Sequence, residues 1–181
     1  MNIPNLLTLL RIILVPVIVI FLIQGLFLKA LIAFIVAALS DMLDGFLARI
    51  LHQQTALGAY LDPIADKALL ASSFVTLSVL HEIPGWLTVI VISRDVIILL
   101  GISVLSIMSI SVKIRPTFVS KITTALQLST VLMILFDRSI PGSFNEIWQM
   151  AFFWLTAVFT VISGLNYMLR GQRLINQDIK K

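Results

Sequence analysis

Four aspartates, Asp41, Asp44, Asp62 and Asp66, are the residues of this chain best suited to chemistry. They account for four of its nine acidic residues, and they lie within strongly apolar sequence. A carboxylate at membrane depth costs about 2.5–3.5 kcal/mol at a helix centre, so such residues usually face an interior cavity or bind a ligand. We therefore interpret the four aspartates as a functional site.

Helical spacing arranges these aspartates in two pairs. Asp41 and Asp44 are three residues apart, and Asp62 and Asp66 are four apart, so each pair occupies one face of a helix. The two faces also carry small and basic residues: Gly45, Ala48, Arg49 and Gly58. Small residues allow a ligand or a neighbouring helix to approach the backbone closely.

Pro63 predicts where the second acidic helix begins. Proline lacks the backbone N–H that a helix interior needs, but this loss does no harm in the first turn. We therefore expect that helix to begin near Asp62. An eight-residue connection from the preceding helix would then let the two acidic faces converge at one membrane surface.

Converging carboxylates repel one another unless cations lie between them. Mg²⁺ typically binds one or two carboxylates together with substrate phosphates. Two such metals form a clamp on a pyrophosphate and its leaving group, and a remaining carboxylate can act as a base toward a hydroxyl. The residues favour phosphoryl-type transfer from a pyrophosphate donor to an alcohol. The alternative is a set of interhelical salt bridges, in which Arg49 and Lys67 neutralise two of the four acids.

The composition indicates an integral membrane protein. The chain has 181 residues, of which 59% are hydrophobic and 12% are charged. Six apolar stretches, at about 5–24, 29–49, 62–80, 86–110, 120–137 and 147–169, are long enough to cross a bilayer. We expect an all-α, multi-pass bundle of six transmembrane helices that forms a single domain over residues 1–181. The absence of cysteine excludes disulfides and thiolate sites, and the lack of a basic run argues against nucleic-acid binding.

The distribution of lysine and arginine predicts the orientation of the bundle. With a cytoplasmic N-terminus, nine of the 13 basic residues fall on the cytoplasmic side, and only Lys29 and Arg138 fall on the other. Both termini and the aspartates would then face the cytoplasm. At the start of the chain, Asn5 and Thr8 could cap an interfacial helix, and Arg11 could extend its charge to the membrane surface.

Read continuously, residues 41–66 follow the pattern D-x2-D-G-x2-A-R-x8-G-x3-D-x3-D. This pattern resembles the signature of the CDP-alcohol phosphotransferase family at every defined position and spacing. The six-span plan and the opening residues Asn5, Thr8 and Arg11 are also similar to this family. The resemblance therefore covers essentially the whole chain.

The resemblance implies a two-metal centre of Mg²⁺ or Mn²⁺ held by the four aspartates, with Asp66 also acting as the general base. The acceptor hydroxyl would attack the phosphorus that bears diacylglycerol, and CMP would leave. Homodimers are typical of such enzymes. The residues implied in CDP binding are Asp41, Asp44, Gly45, Ala48, Arg49 and Gly58. Thr55, in the turn between the acidic faces, could also contact the nucleotide.

The second half of the chain resembles CMP-forming cardiolipin synthases. The resemblance rests on residues 83–84, 93–96 and 115–128. Phosphatidylglycerophosphate synthases commonly have a Gly-Lys pair where this chain has Ser120 and Lys121. We therefore favour phosphatidylglycerol as the acceptor over glycerol 3-phosphate.

Either acceptor brings a phosphate that needs basic partners. Arg94, Lys121 and Arg115 are the candidate ligands of this acceptor phosphate. Alternatively, Arg94 forms a buried pair with its neighbour Asp95, and Arg115 only anchors the bundle at the cytoplasmic surface.

Two further interpretations remain open. A membrane prenyltransferase also binds diphosphate through paired aspartates and Mg²⁺, although such proteins usually have more spans. A divalent-cation channel or carrier would also use intramembrane acids, but a conduction path should place polar residues along several spans.

Overall fold

A computed structural model describes residues 3–50, 56–107 and 118–178, with side chains for residues 6–42, 64–101, 103 and 118–172. This part of the chain forms six α-helices and contains no strand, which confirms the all-α prediction. The helices are α1 (Ile3–Ile23), α2 (Phe27–Ile50), α3 (Ala56–Val79), α4 (Gly85–Ile107), α5 (Phe118–Ser139) and α6 (Glu146–Asp178).

The start of α3 differs from the prediction based on Pro63. The helix begins at Ala56, six residues before Asp62, so Pro63 lies inside the helix and not in its first turn. The segment that precedes Asp62 consists mostly of good helix formers, and their propensity extends the helix backwards. Only residues 51–55 separate α2 from α3.

From Ile3 onward, the first described residues form one continuous helix, α1. Thr8 and Arg11 lie well inside α1, and the exposed fractions of these residues are 1% and 0%. The predictions that Thr8 caps a helix and that Arg11 extends to the membrane surface are therefore wrong. Both side chains instead point into the protein, because they share the buried face of α1.

Among the residues that the structure describes, three helical segments are long and apolar enough to cross a membrane: Leu6–Ile23, Phe118–Ser139 and Glu146–Gln172. This finding supports a membrane protein by length and composition. The six-span arrangement stays a prediction.

The chain divides into two compact units, Met1–Pro84 with Val131–Glu146 and Gly85–Thr130 with Ile147–Lys181. The single-domain interpretation stays a prediction. In the first unit, α1 packs against both α2 and α3. The buried residues of α1 follow helical spacing and form one face; they are Thr8, Arg11, Ile18 and Leu22. On α2, small buried side chains permit close helix approach; they are Ala30, Ala33 and Ala37.

A tight turn joins α1 to α2. Gly25 has φ +71°, a left-handed conformation that glycine adopts without strain. The N–H of Leu26 donates to the carbonyl of Phe21 at 2.8 Å, and the N–H of Gly25 donates to that of Leu22 at 3.0 Å. These two bonds form a Schellman motif, which satisfies carbonyls at the end of α1 and reverses the chain.

In the second unit, a seam of polar side chains joins α5 to α6. The hydroxyl of Thr123 donates to the carbonyl of Phe159 at 3.0 Å, and Gln127 Nε2 donates to the hydroxyl of Thr160 at 3.3 Å. The hydroxyls of Thr130 and Thr156 are 2.8 Å apart. Such bonds between apolar helices fix their register because few other polar groups are available there.

Candidate active site

The structure places the two acidic pairs at matching positions along α2 and α3. Asp44 lies six residues before the end of α2, and Asp62 lies six residues after the start of α3. Each is thus about 9 Å along its helix from the connection. Asp41 and Asp66 lie about one turn further along. Two helices joined by so short a connection are usually antiparallel neighbours, so we expect both pairs to lie at one level.

Asp41 is held by a buried arginine. Its Oδ1 lies 2.8 Å from Nη1 of Arg11, and the exposed fractions of the two side chains are 43% for Asp41 and 0% for Arg11. Sequence reasoning weighed Arg49 and Lys67 as partners of the aspartates but did not consider Arg11. An arginine in an apolar span was itself a signal, since such residues are rare and usually paired.

Asp66 lies on α3 next to buried side chains of the core. Its side chain is partly buried, while neighbouring Ala65 and Leu69 are 0% and 1% exposed. Lys67, which follows it, is also partly buried. A carboxylate on the border of the core keeps access to a ligand on one side and is held by packing on the other.

The remaining residues of the aspartate motif are placed by their backbone only. Asp44, Gly45, Ala48 and Arg49 lie in α2, and Gly58 and Asp62 lie in α3, with side chains outside the described residues. Thr55 lies outside the described residues altogether. Among the side chains that are described, no group of three or more histidine or carboxylate residues is close enough to hold a metal. Since Asp44 and Asp62 are not among them, the four-aspartate metal site stays a prediction.

Arg94 is the centre of a buried cluster in the second unit. Its Nη1 donates to Asp95 Oδ1 at 2.6 Å, and its Nη2 donates to the hydroxyls of Ser120 at 2.7 Å and Ser163 at 2.9 Å. The guanidinium carbon also lies 5.8 Å from the centre of the Tyr167 ring, a cation–π distance. One arginine of α4 thereby connects α5 and α6, which gives it a structural role whatever ligand it binds.

Lys121 lies beside this cluster on an open surface. The side chain is exposed and belongs to a groove of about 360 Å³ on one face of α5. The groove is lined by Ser120, Lys121, Thr124, Ala125 and Leu128. Arg115, the third predicted ligand of the acceptor phosphate, lies outside the described residues. Sequence reasoning missed Ser163 and Tyr167, which lie far from Arg94 in the chain and carry no motif.

The donor chemistry of α2 and α3 suits a divalent cation. Four carboxylates provide hard oxygen ligands, which Mg²⁺ and Mn²⁺ prefer over nitrogen or sulfur. Asp41 contacts Arg11 through Oδ1 and is nearly half exposed, so it retains an accessible carboxylate. The residues therefore fit a metal centre.

Acidic residues on two helices of an apolar, all-helical protein are the feature to compare with known proteins. The profile of the CDP-alcohol phosphatidyltransferase family matches residues 1–162. The chain belongs to the CDP-alcohol phosphatidyltransferase family and is a transferase. That family generally uses divalent metals.

The chain is similar to curated relatives of two kinds. A probable phosphatidylglycerophosphate synthase of Mycobacterium tuberculosis is 34% identical over 179 residues, covering 95% of this chain and 82% of the relative. The cardiolipin synthase (CMP-forming) of Homo sapiens is 33% identical over 190 residues, covering 96% and 63%. The CDP-diacylglycerol–glycerol-3-phosphate 3-phosphatidyltransferase of Escherichia coli K12 is 35% identical over 174 residues, covering 92% and 93%. These identities are too close to one another to decide the acceptor.

Proposed function

We propose that this protein transfers the phosphatidyl group of CDP-diacylglycerol to phosphatidylglycerol, producing cardiolipin and CMP. The observation that carries the proposal is the complete aspartate motif at matching positions on α2 and α3. The names of the relatives support CDP-diacylglycerol as the donor and a glycerol-type molecule as the acceptor.

The reaction exchanges one phosphorus–oxygen bond for another. The acceptor hydroxyl oxygen bonds to the phosphorus that carries diacylglycerol, and the bond from that phosphorus to the bridging oxygen breaks. CMP leaves with the bridging oxygen. The hydroxyl proton passes to the Asp66 carboxylate, which suits the role of a general base because it is partly accessible.

Asp41, Asp44, Asp62 and Asp66 would hold two divalent cations, Mg²⁺ or Mn²⁺. Bound cations would offset the negative charge of the pyrophosphate and of the departing CMP. Gly45, Ala48, Arg49, Gly58 and Thr55 would form the nucleotide pocket, where the absence of bulk lets the cytidine phosphates approach the backbone.

Arg94 is a candidate ligand of the acceptor phosphate. Its Nη2 donates to Ser120 and Ser163 and its Nη1 donates to Asp95, which uses three of its five N–H groups. Ser120, which stands where phosphatidylglycerophosphate synthases commonly have glycine, supports phosphatidylglycerol as the acceptor. Lys121, which is exposed, and Arg115 would provide the remaining positive charge.

Glycerol 3-phosphate is the second candidate acceptor. Two relatives favour it. One is named a probable phosphatidylglycerophosphate synthase and is 34% identical, and the other is named a CDP-diacylglycerol–glycerol-3-phosphate 3-phosphatidyltransferase and is 35% identical.

We further propose six transmembrane spans, with both termini and the active site in the cytoplasm, and a homodimeric assembly. Besides the three spans supported by composition, α2, α3 and α4 have 24, 24 and 23 residues, enough to cross a bilayer. The positive charges on the cytoplasmic side support this orientation.

An acceptor panel tests the proposed reaction. Purified protein in lipid vesicles would receive labelled CDP-diacylglycerol with Mg²⁺ or Mn²⁺ and, in separate arms, phosphatidylglycerol, glycerol 3-phosphate, inositol phosphate or serine. We expect CMP and labelled cardiolipin in the phosphatidylglycerol arm. The variant Asp44→Asn should lose this product, whereas Glu146→Gln, at the exposed start of α6, should retain it.

Two other outcomes would contradict different parts of the proposal. Phosphatidylglycerophosphate as the main product would show that the acceptor is glycerol 3-phosphate. If no arm released CMP and Mn²⁺ entered the vesicles, the protein would be a cation transporter and not this enzyme.

A further inference from the structure

Arg11 has an environment that hydrophobic packing alone does not explain. It lies in the apolar segment Leu6–Ile23 and is fully buried. A buried guanidinium is costly unless it is paired, and it stays charged at every physiological pH. Since α1 packs on both acidic helices, this charge is positioned against the elements that carry the aspartates.

The contact with Asp41 is asymmetric. Arg11 Nη1 lies 2.8 Å from Asp41 Oδ1, and the arginine is fully buried while the carboxylate is 43% exposed. The protein encloses the arginine, so Arg11 is placed to set the position of the Asp41 carboxylate. A buried arginine needs an anionic partner, but this need does not require the partner to stay accessible. The exposure of Asp41 leaves its carboxylate open to a further ligand.

We propose that Arg11 is a positioning residue for the metal centre. Arg11 holds Asp41 through Oδ1 and leaves the other carboxylate oxygen for a divalent cation. The proposal rests on the metal role assigned to Asp41 above. Groups that orient a metal ligand from behind typically change metal affinity or activity by about 10–100-fold when they are removed.

The sign of the effect separates positioning from simple electrostatics. Removal of a positive charge near a cation site should, by Coulomb's law, strengthen cation binding. Removal of a group that orients a ligand should weaken binding. Mn²⁺ affinity therefore distinguishes the two effects, and it can be measured without any turnover.

The experiment uses purified full-length protein in lipid vesicles, and Mn²⁺ binding is followed by electron paramagnetic resonance. The variants are Arg11→Met, which keeps the length but not the charge, and Arg11→Lys, which keeps the charge but not the planar fork. Both are also made in the Asp41→Asn background. Arg138→Met is the matched control, because it removes another arginine–carboxylate pair, with Glu82, from the same unit.

We expect Mn²⁺ binding to weaken about 10–100-fold in Arg11→Met and by less in Arg11→Lys. Arg138→Met should bind as the unmodified protein does, and Arg11→Met should cause less than about a twofold change in the Asp41→Asn background, since additive effects indicate independent groups. If Arg11→Met does not fold, the comparison uses Arg11→Lys instead. Its loss of Mn²⁺ affinity should again be smaller in the Asp41→Asn background.

Two results would overturn the proposal. One is Mn²⁺ binding in Arg11→Met that is equal to or tighter than that of the unmodified protein. The other is an undiminished loss in the Asp41→Asn background. If the unmodified protein binds Mn²⁺ but makes no phospholipid, the proposed reaction fails while this binding comparison still decides the role of Arg11.

Discussion

Two buried arginines, Arg11 and Arg94, each contact an aspartate but have different surroundings. The Asp41 side chain that faces Arg11 is 43% exposed, whereas the Asp95 side chain that faces Arg94 is only 15% exposed. Arg94 also binds hydroxyls from two other helices. Arg11 thus supports a carboxylate that can reach a ligand, whereas Arg94 joins side chains of three helices.

The general-base role of Asp66 makes a prediction about turnover. In Asp66→Asn the side chain keeps its size but cannot accept the proton, so turnover should fall by about 10²–10⁴-fold. Metal-dependent binding of CDP-diacylglycerol should persist, and it can be measured by equilibrium binding of labelled lipid. Asp137→Asn is the control, because Asp137 accepts the backbone N–H of Phe144 and has no assigned catalytic role. An equal loss of donor binding would make Asp66 chiefly a metal ligand.

The acceptor role of Arg94 makes a prediction about Michaelis constants. Arg94→Lys keeps the charge but loses the fork, so the acceptor KM should rise by about 10-fold while the donor KM stays nearly constant. Ser163→Ala is the control, since it removes one hydrogen bond to the same guanidinium without removing its charge. It should lower thermal stability and leave the acceptor KM unchanged. If Arg94→Lys lowers thermal stability but changes neither KM, Arg94 has only a structural role.

At the scale of elements, the apolar stretches of the sequence predicted all six helices. The ends of the helices were harder to predict, because a helix can extend beyond its apolar stretch. The start of α3 was placed by Pro63, but good helix formers extend the helix back to Ala56. At the other end of the chain, α6 continues into polar sequence as far as Asp178, beyond the predicted span. The α5–α6 seam shows the same limit: Thr123, Gln127 and Thr130 have helical spacing, but their partners on α6 could not be read from the sequence.

The α1–α2 turn makes a prediction about stability. Gly25 has φ +71° with open space around it, so Gly25→Ala costs only backbone strain, about 1 kcal/mol. Gly101 lies within α4, and a Cβ added there would also meet open space, so Gly101→Ala should stabilise that helix by about 1 kcal/mol. Thermal unfolding in detergent, followed by circular dichroism, would compare the two. A Gly25→Ala variant as stable as Gly101→Ala would contradict the left-handed turn.

At the scale of the whole molecule, the sequence supported the family and the helical class well but the site only in part. A motif with fixed spacing indicates chemistry without knowledge of tertiary contacts, so the aspartates could be proposed as metal ligands from the sequence alone. The pairing of Arg94 with its neighbour Asp95 was also among the interpretations of the sequence. The contact of Arg11 with Asp41, and those of Ser120 and Ser163 with Arg94, join different helices and needed coordinates. Arg11 was visible as an unusual residue, yet nothing in the sequence connected it to Asp41.

The central claim is that the acidic faces of α2 and α3 share one cation pocket, and the chain has no cysteine to complicate a direct test. One variant would combine Asp44→Cys with Asp62→Cys. Cd²⁺ would be added before a maleimide, and the extent to which it protects both thiols from the maleimide would be measured. Cd²⁺ is suitable because soft thiolates bind this cation. The control combines Asp44→Cys with Ile64→Cys, because Ile64 is 62% exposed and lies two residues from Asp62, on another side of α3. We predict protection of the Asp44–Asp62 pair at Cd²⁺ concentrations at least about 100-fold lower than in the control, because two thiols in one pocket bind the ion together. Equal Cd²⁺ requirements for the two pairs would contradict a shared pocket.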